Sequence, residues 1–240
     1  VSGEDLPGRR MRRGGNVAFD LTFAAPKGLS VLAAVGDEEV RSAVLEAYAE
    51  GARAALDYLE RRACFVRRGH NGVQVLRGEG FVGAMYLHEM ARSGDPHLHA
   101  HLVIVNRVRG EDGRWTAPDM RPVFAEAKTA GFIAEAVVRE RLSATLGLEW
   151  AQTANGSIDL VAVPDEVREH FSQRHAEILE LANARGYTGA VAIEAIQRET
   201  RDRKRVVSRE RAAAEWRSRA AEHGCGDRGI ARTFGAARSR

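Results

Sequence analysis

Four of the eight histidines in this 240-residue chain lie between residues 88 and 101, in the run HEMARSGDPHLHAH. Side chains two apart on a β-strand point to the same face. A strand through His99 and His101 therefore presents two imidazoles together, with Leu98, Ala100, Leu102 and Ile104 turned toward the core. His97 shares their parity but follows Pro96, so it falls either on the strand or in the loop before it. His88 ends the preceding strand, and Gly94, Asp95 and Pro96 mark a turn between the two. If these strands pair, three imidazoles converge, which is the minimum of a catalytic metal site with open coordination positions. Imidazole suits zinc, nickel, copper, iron or manganese better than magnesium. A lone His-X-His pair is more often packing than ligation; the third histidine reverses that balance.

Asp20 is the second residue that invites chemistry. It interrupts the apolar strand VAFDLTF at 17–23, sharing a face with Ala18 and Thr22, while Phe19, Leu21 and Phe23 share the other. A buried carboxylate is costly unless paired. On the histidine face it can accept the second ring N–H of a metal ligand, fixing the tautomer and raising ligand basicity. It can also take a proton. Without the histidines, Asp20 reads as an exposed residue on a solvated sheet face.

The elements that must position these groups follow from periodicity. After the strand at 17–23, Pro26 suits the first turn of a short helix, KGLSVLAAVG. Asp37 is a good N-cap for a second helix, with Val40, Val44, Tyr48, Ala52, Ala55 and Leu59 as its apolar stripe. Cys64–Arg68 and Val73–Arg77 read as strands around an Asn-Gly turn, followed by a strand at 80–88 and another at 99–106. Beyond a short strand in RWTAP come a long helix at 123–146 and a hairpin of 149–152 with 157–163. Helices then follow at 164–185, broken near Ser172, and at 189–223. Consecutive hairpins with segregated helices predict an α+β fold, a central antiparallel β-sheet flanked by helices with a helical C-terminal part. They exclude a doubly wound nucleotide fold.

Composition bounds the rest. Hydrophobic residues make up 44% and charged residues 29%, an ordinary globular balance. No apolar run approaches the roughly 18 residues of a membrane span. Two distant cysteines, Cys64 and Cys225, exclude a disulfide framework and fit a reducing, cytoplasmic setting. The net charge is only +3, yet arginines cluster at 9–13 and basic residues at 201–205, able to neutralise phosphates or simply to face solvent. The chain opens on Val1, as a fragment of a longer polypeptide would. The expected organisation is a flexible basic remnant at 1–16, a domain at 17–205 and a polar helical extension at 206–240.

At these residues the sequence resembles a known family. FDLTFAAPKGLSVL at 19–32 and the three-histidine run are similar to motifs of the TrwC/TraI-type (MobF) conjugative relaxases, within the HUH endonucleases. The similarity continues through AKTAGF at 127–132, VAVP at 161–164, FSQRHAEI at 171–178 and ETRDRK at 199–204. The resemblance implies a domain that binds hairpin and single-stranded DNA at a transfer origin. Such a domain nicks one strand through a phosphotyrosine link and later reseals it, in company with other relaxosome proteins. It implies His88, His99 and His101 as ligands of a divalent metal ion (Mn, Mg, Zn or Ni) and Asp20 as a catalytic residue orienting one ligand. It implies DNA contacts from Lys27, Arg92 and Lys204. The family's nucleophilic tyrosines precede the DLTF strand. Tyr48, Tyr58, Tyr86 and Tyr187 do not match them, so this chain is expected to be catalytically incomplete alone. Tyr86 matches an aromatic core position that shares a strand face with His88, and Met90-Ala91 stands where the family usually has Thr-Ser. Three rival readings remain: a rolling-circle replication initiator-like nickase, a metal- and DNA-binding fragment without catalysis, and a three-histidine hydrolase of small molecules.

Overall fold

The computed structural model describes residues 14–153, 156–200 and 208–224. In chain order, β1 (Ala18–Ala24) leads to α1 (Lys27–Val35), α2 (Glu38–Ala63), β2 (Phe65–Arg68) and β3 (Gln74–Arg77). Then come β4 (Gly83–Met90), β5 (Pro96–Val105), β6 (Val108–Arg109), β7 (Trp115–Thr116) and α3 (Met120–Leu146). The hairpin of β8 (Trp150–Gln152) and β9 (Ile158–Leu160) precedes α4 (Asp165–His170), α5 (Gln173–Ala184), α6 (Ala190–Glu199) and α7 (Arg209–Glu222). The fold is α+β, as the patterning predicts. The chain divides into two compact units, and β4, β5, α2 and α3 each run through both.

The first unit holds a three-stranded sheet in the order β1-β5-β4. β1 and β5 are antiparallel, with Asp20 opposite Val103 and Thr22 opposite His101. Exposure alternates along β5, and the side chains of Leu98, Ala100, Leu102 and Ile104 are buried. Burying a leucine or isoleucine contributes about 1.5–3 kcal/mol, against about 0.2–1 kcal/mol for one cross-strand pair. The apolar face therefore dictates which way the strand lies. A one-residue slip would turn three large side chains to water and the histidines inward. Leu21, Leu102 and Ile104 pack with Ala55 and Leu59 of α2 and with Val123 and Ala130 of α3. At Gly51 a Cβ would sit 2.6 Å from the Ala134 carbonyl oxygen, so α2 and α3 cross where only glycine fits. The ribbons β2-β3 and β6-β7 complete this unit around Cys64, Val66 and Val108. Burial pushes the Cys64 thiol up to about 11, and the thiol reads as packing rather than chemistry.

Helix α2 starts as expected, with Asp37 accepting the Val40 N–H at 2.9 Å. Its stripe is buried from Val44 to Leu59. Tyr48 belongs to it and donates its hydroxyl to the Phe23 carbonyl at 2.8 Å; burial raises its pKa.

The second unit is built around α1, buried from Gly28 to Val35. Gly28 N–H donates to the Asp159 carboxylate at 2.9 Å, and a Cβ there would meet that carboxylate at 2.5 Å. Pro26 flanks α1 rather than entering it. Ile178, Ala182 and Ile196 join α5 to α6. Helix α7 falls in the stretch expected as a polar extension, yet Ala212, Ala213, Trp216 and Ala220 on it are buried. Ser172 lies between α4 and α5, but it does not cap: its hydroxyl donates to the Arg168 carbonyl at 2.6 Å. The sequence reading missed β6, placed β4 three residues early and left His97 between loop and strand. β4 runs past His88 to Met90, and β5 begins at Pro96, so His97 is on the strand. Among the described residues no helix is long and apolar enough to cross a membrane.

Candidate metal centre

Two adjacent strands of the first unit bring His88, His99 and His101 together. Their ring centroids form a nearly equilateral triangle: His88 to His99 5.2 Å, His88 to His101 4.9 Å, His99 to His101 4.9 Å. The ring planes meet at 79°, 65° and 72°, like three walls of a corner. One nitrogen from each ring lies within 4.8 Å of the other two. Nitrogens on a tetrahedral ion at about 2.0–2.1 Å stand roughly 3.4 Å apart, so small ring rotations close the set on one cation. His88 is exposed and the other two are half-buried, which leaves room for further ligands on the open side. His97 has the parity of the triad but is not among the converging residues.

Asp20 lies on the same face. Its two carboxylate oxygens stand 2.8 and 3.0 Å from Nδ1 of His101. A carboxylate only accepts, so Nδ1 carries the proton and Nε2 is left to ligate. Both readings of Asp20 hold in part: it pairs with a histidine, and its sheet face is solvated. The Asp20 side chain is 50% exposed, because its sheet face is solvated, and water rather than a counter-charge offsets its desolvation. A pair this exposed contributes about 0–1 kcal/mol to stability, too little to account for it as a fold stabiliser. Thr22 Oγ1 sits 3.2 Å from the same nitrogen, a second acceptor for its proton. Sequence reasoning placed Thr22 on this face and gave it no role; its parity with Asp20 was the available signal.

The other site residues fall elsewhere. Lys27, in the second unit, donates to the carbonyls of Pro96 at 2.9 Å and Phe171 at 3.0 Å. Burial lowers its pKa, opposed by Asp95 and Asp159. Two of its three donors are thus spent on backbone, which braces the start of α1. Arg92 is exposed on the turn between β4 and β5. Lys204, both basic clusters and Cys225 lie outside the described residues. Tyr86 is 55% exposed on the face of His88, not in the core; the inner face of β4 is supplied by Met85 and Leu87 instead.

A family model described as TrwC relaxase matches residues 1–223. The multifunctional conjugation protein TraI of Escherichia coli is 30% identical over 228 residues, covering 89% of this chain. TraI of strain K12 is 28% identical over the same length. The chain spans 12% of the length of these curated relatives. Among solved structures, conjugative relaxase TrwC with OriT DNA in its metal-free form superposes with a TM-score of 0.82 at 28% identity. That match covers 93% of this chain and 80% of that one. The metal-bound complex gives 0.79 at 29% identity, over 90% and 78%. With the family model spanning all but its last residues and the histidine corner in place, the chain belongs to the TrwC relaxase family.

Proposed function

We propose that this chain is the DNA-nicking domain of a conjugative relaxase. It takes hairpin and single-stranded DNA at a transfer origin in the bacterial cytoplasm, alongside other relaxosome proteins. Its metal ligands are His88, His99 and His101, and Asp20 is the residue that aims His101. The observation that carries this reading is the three-ring corner with the Asp20 carboxylate 2.8 Å behind one ring. A divalent cation held there supplies Lewis-acid polarisation of the scissile phosphate and offsets charge in the transition state. Asp20 holds the proton of His101 on Nδ1 and so leaves Nε2 free to face an ion. Arg92, exposed on the adjoining turn, is proposed to meet phosphate, which sets register rather than sequence preference.

The attacking tyrosine is proposed to come from outside the four in this chain. The Tyr48 hydroxyl is spent on Phe23, and Tyr58 donates to Glu126 at 2.6 Å. Tyr187 sits in the loop after α5. Tyr86 alone shares the histidine face.

Equilibrium dialysis against Zn²⁺ or Mn²⁺ with metal analysis tests the centre: one ion per chain is expected, lost in His99→Ala and His88→Ala. Incubation with a hairpin oligonucleotide carrying a single-stranded extension should give a metal-strengthened complex and no covalent species on a denaturing gel. No bound ion in the wild type, or full metal binding kept by both His99→Ala and His88→Ala, would sink the metal role. A covalent adduct that disappears in Tyr86→Phe would assign Tyr86 as the nucleophile.

A further inference from the structure

The two strands that carry the histidines run into one turn, Ala91 to Asp95, and helix α7 bonds to that turn within the second unit. Within the second unit, the Trp216 indole N–H donates to the Gly94 carbonyl at 2.8 Å. Arg219 donates to the Asp95 carboxylate at 3.0 Å, to the His170 carbonyl at 3.2 Å and to His170 Nε2 at 3.2 Å. Its guanidinium also lies 4.5 Å from the centroid of the Phe171 ring. Asp95 is 2% exposed, and its other oxygen accepts from the Gln173 N–H at 3.2 Å. The turn closes on itself through Ala91 N–H to Asp95 O at 2.9 Å. At the other end of α7, Arg209 lies 3.7 Å from Glu89, the residue after His88. Arg41 also holds Glu89, at 2.6 Å.

This is more fixation than a solvent-exposed turn requires. A buried aspartate directly before β5 costs several kcal/mol unless paired, and a valine or leucine would fill the space without that cost. What the polar arrangement adds is direction: each contact holds one turn atom along one line. The turn is the covalent link between the strand that carries His88 and the one that carries His99 and His101.

We propose that Trp216 and Arg219 of α7 are positioning residues for the metal centre, acting through Gly94 and Asp95 on the span between the strands that bear the ligands. The proposal rests on the metal reading of the triad. Neither residue touches the ion or the substrate. Their contribution is to ligand geometry, so it should emerge in metal affinity and in the ligand field rather than in stability alone.

Co²⁺ is the probe, because its visible absorption reports coordination geometry and its titration gives affinity. Trp216→Phe keeps the buried ring and loses the hydrogen bond; Arg219→Lys keeps the charge and loses the multiple donors. Each should weaken Co²⁺ binding by roughly 3–10-fold, less than the roughly 10–100-fold of partners that bond a ligand directly, with a shifted visible band. Ile178→Ala, in the α5–α6 cluster of the same unit, should lower the melting temperature at least as much and leave Co²⁺ affinity within about twofold. Wild-type affinity and spectrum in both α7 variants, or equal weakening by Ile178→Ala, would overturn the proposal while the metal reading stands. Absence of Co²⁺ binding by the wild-type chain would instead remove the metal reading, and this proposal with it.

Discussion

At the scale of single residues, the Asp20–His101 contact separates a role in orientation from a role in stability. With Asp20 half exposed, the pair is too well solvated to hold the sheet together. Asp20→Asn should therefore unfold like the wild type, within about 0.5 kcal/mol in urea. The amide can present its NH₂ to Nδ1 and favour the wrong tautomer, so metal affinity should fall by about 10–100-fold. Calorimetric titration with Zn²⁺ checks this, and an unchanged dissociation constant would show Asp20 to be a bystander. Parity along the strand put Asp20 opposite the apolar face of β1 and left open whether that was the histidine face; the family resemblance supplied the pairing with a ligand. Its exposure was not legible, because whether the outer face of a sheet is covered depends on elements elsewhere in the chain. Tyr86 was misjudged for the same reason: the inner face of β4 belongs to Met85 and Leu87, and Tyr86 is on the outer one.

At the scale of elements, the β4–β5 pairing is the junction that makes the site. Gly83 opens β4, and a Cβ on it would lie 2.4 Å from the Val103 carbonyl oxygen. Backbone cannot yield as a flexible side chain does. Gly83→Ala should cost about 1–3 kcal/mol and, by prising β4 from β5, weaken metal binding; thermal melts with and without Zn²⁺ measure both. A variant with wild-type melting and affinity would show that the two strands have slack. β5 itself was legible because one face is uninterrupted aliphatic and the other carries the histidines. So was α2, from Asp37 and its stripe. β6 is too short to show a period, and the grip of α7 on Gly94 and Asp95 joins residues more than a hundred positions apart, which no local pattern encodes.

At the scale of the whole molecule, acid sensitivity should bear the mark of His170. Burial lowers its pKa first, then the nearby Arg219 and His223, against weaker pulls from Glu222 and Asp95. Its Nε2 accepts from Arg219, so the folded state keeps the ring neutral. The unfolded chain takes the proton near 6.5. Stability from this group is therefore fully present above pH 6.5 and lost as pH falls through the lower folded value. Urea unfolding of wild type and His170→Gln across pH 7.5 to 5.5 reads the effect. The wild type should lose stability faster than the variant, and parallel curves would refute the assignment.

The histidine corner sits on the open side of a sheet whose back is sealed by Leu98, Leu102 and Ile104. Folding is driven from the sealed side, so the chain needs no ion in order to fold, and an ion held there would add only its own binding energy. An ion there can leave, or be taken by a chelator, without the chain first coming apart, unlike the closed sites of zinc-folded modules. A site of this kind could be stripped by a chelator and refilled by added metal while the fold stays in place.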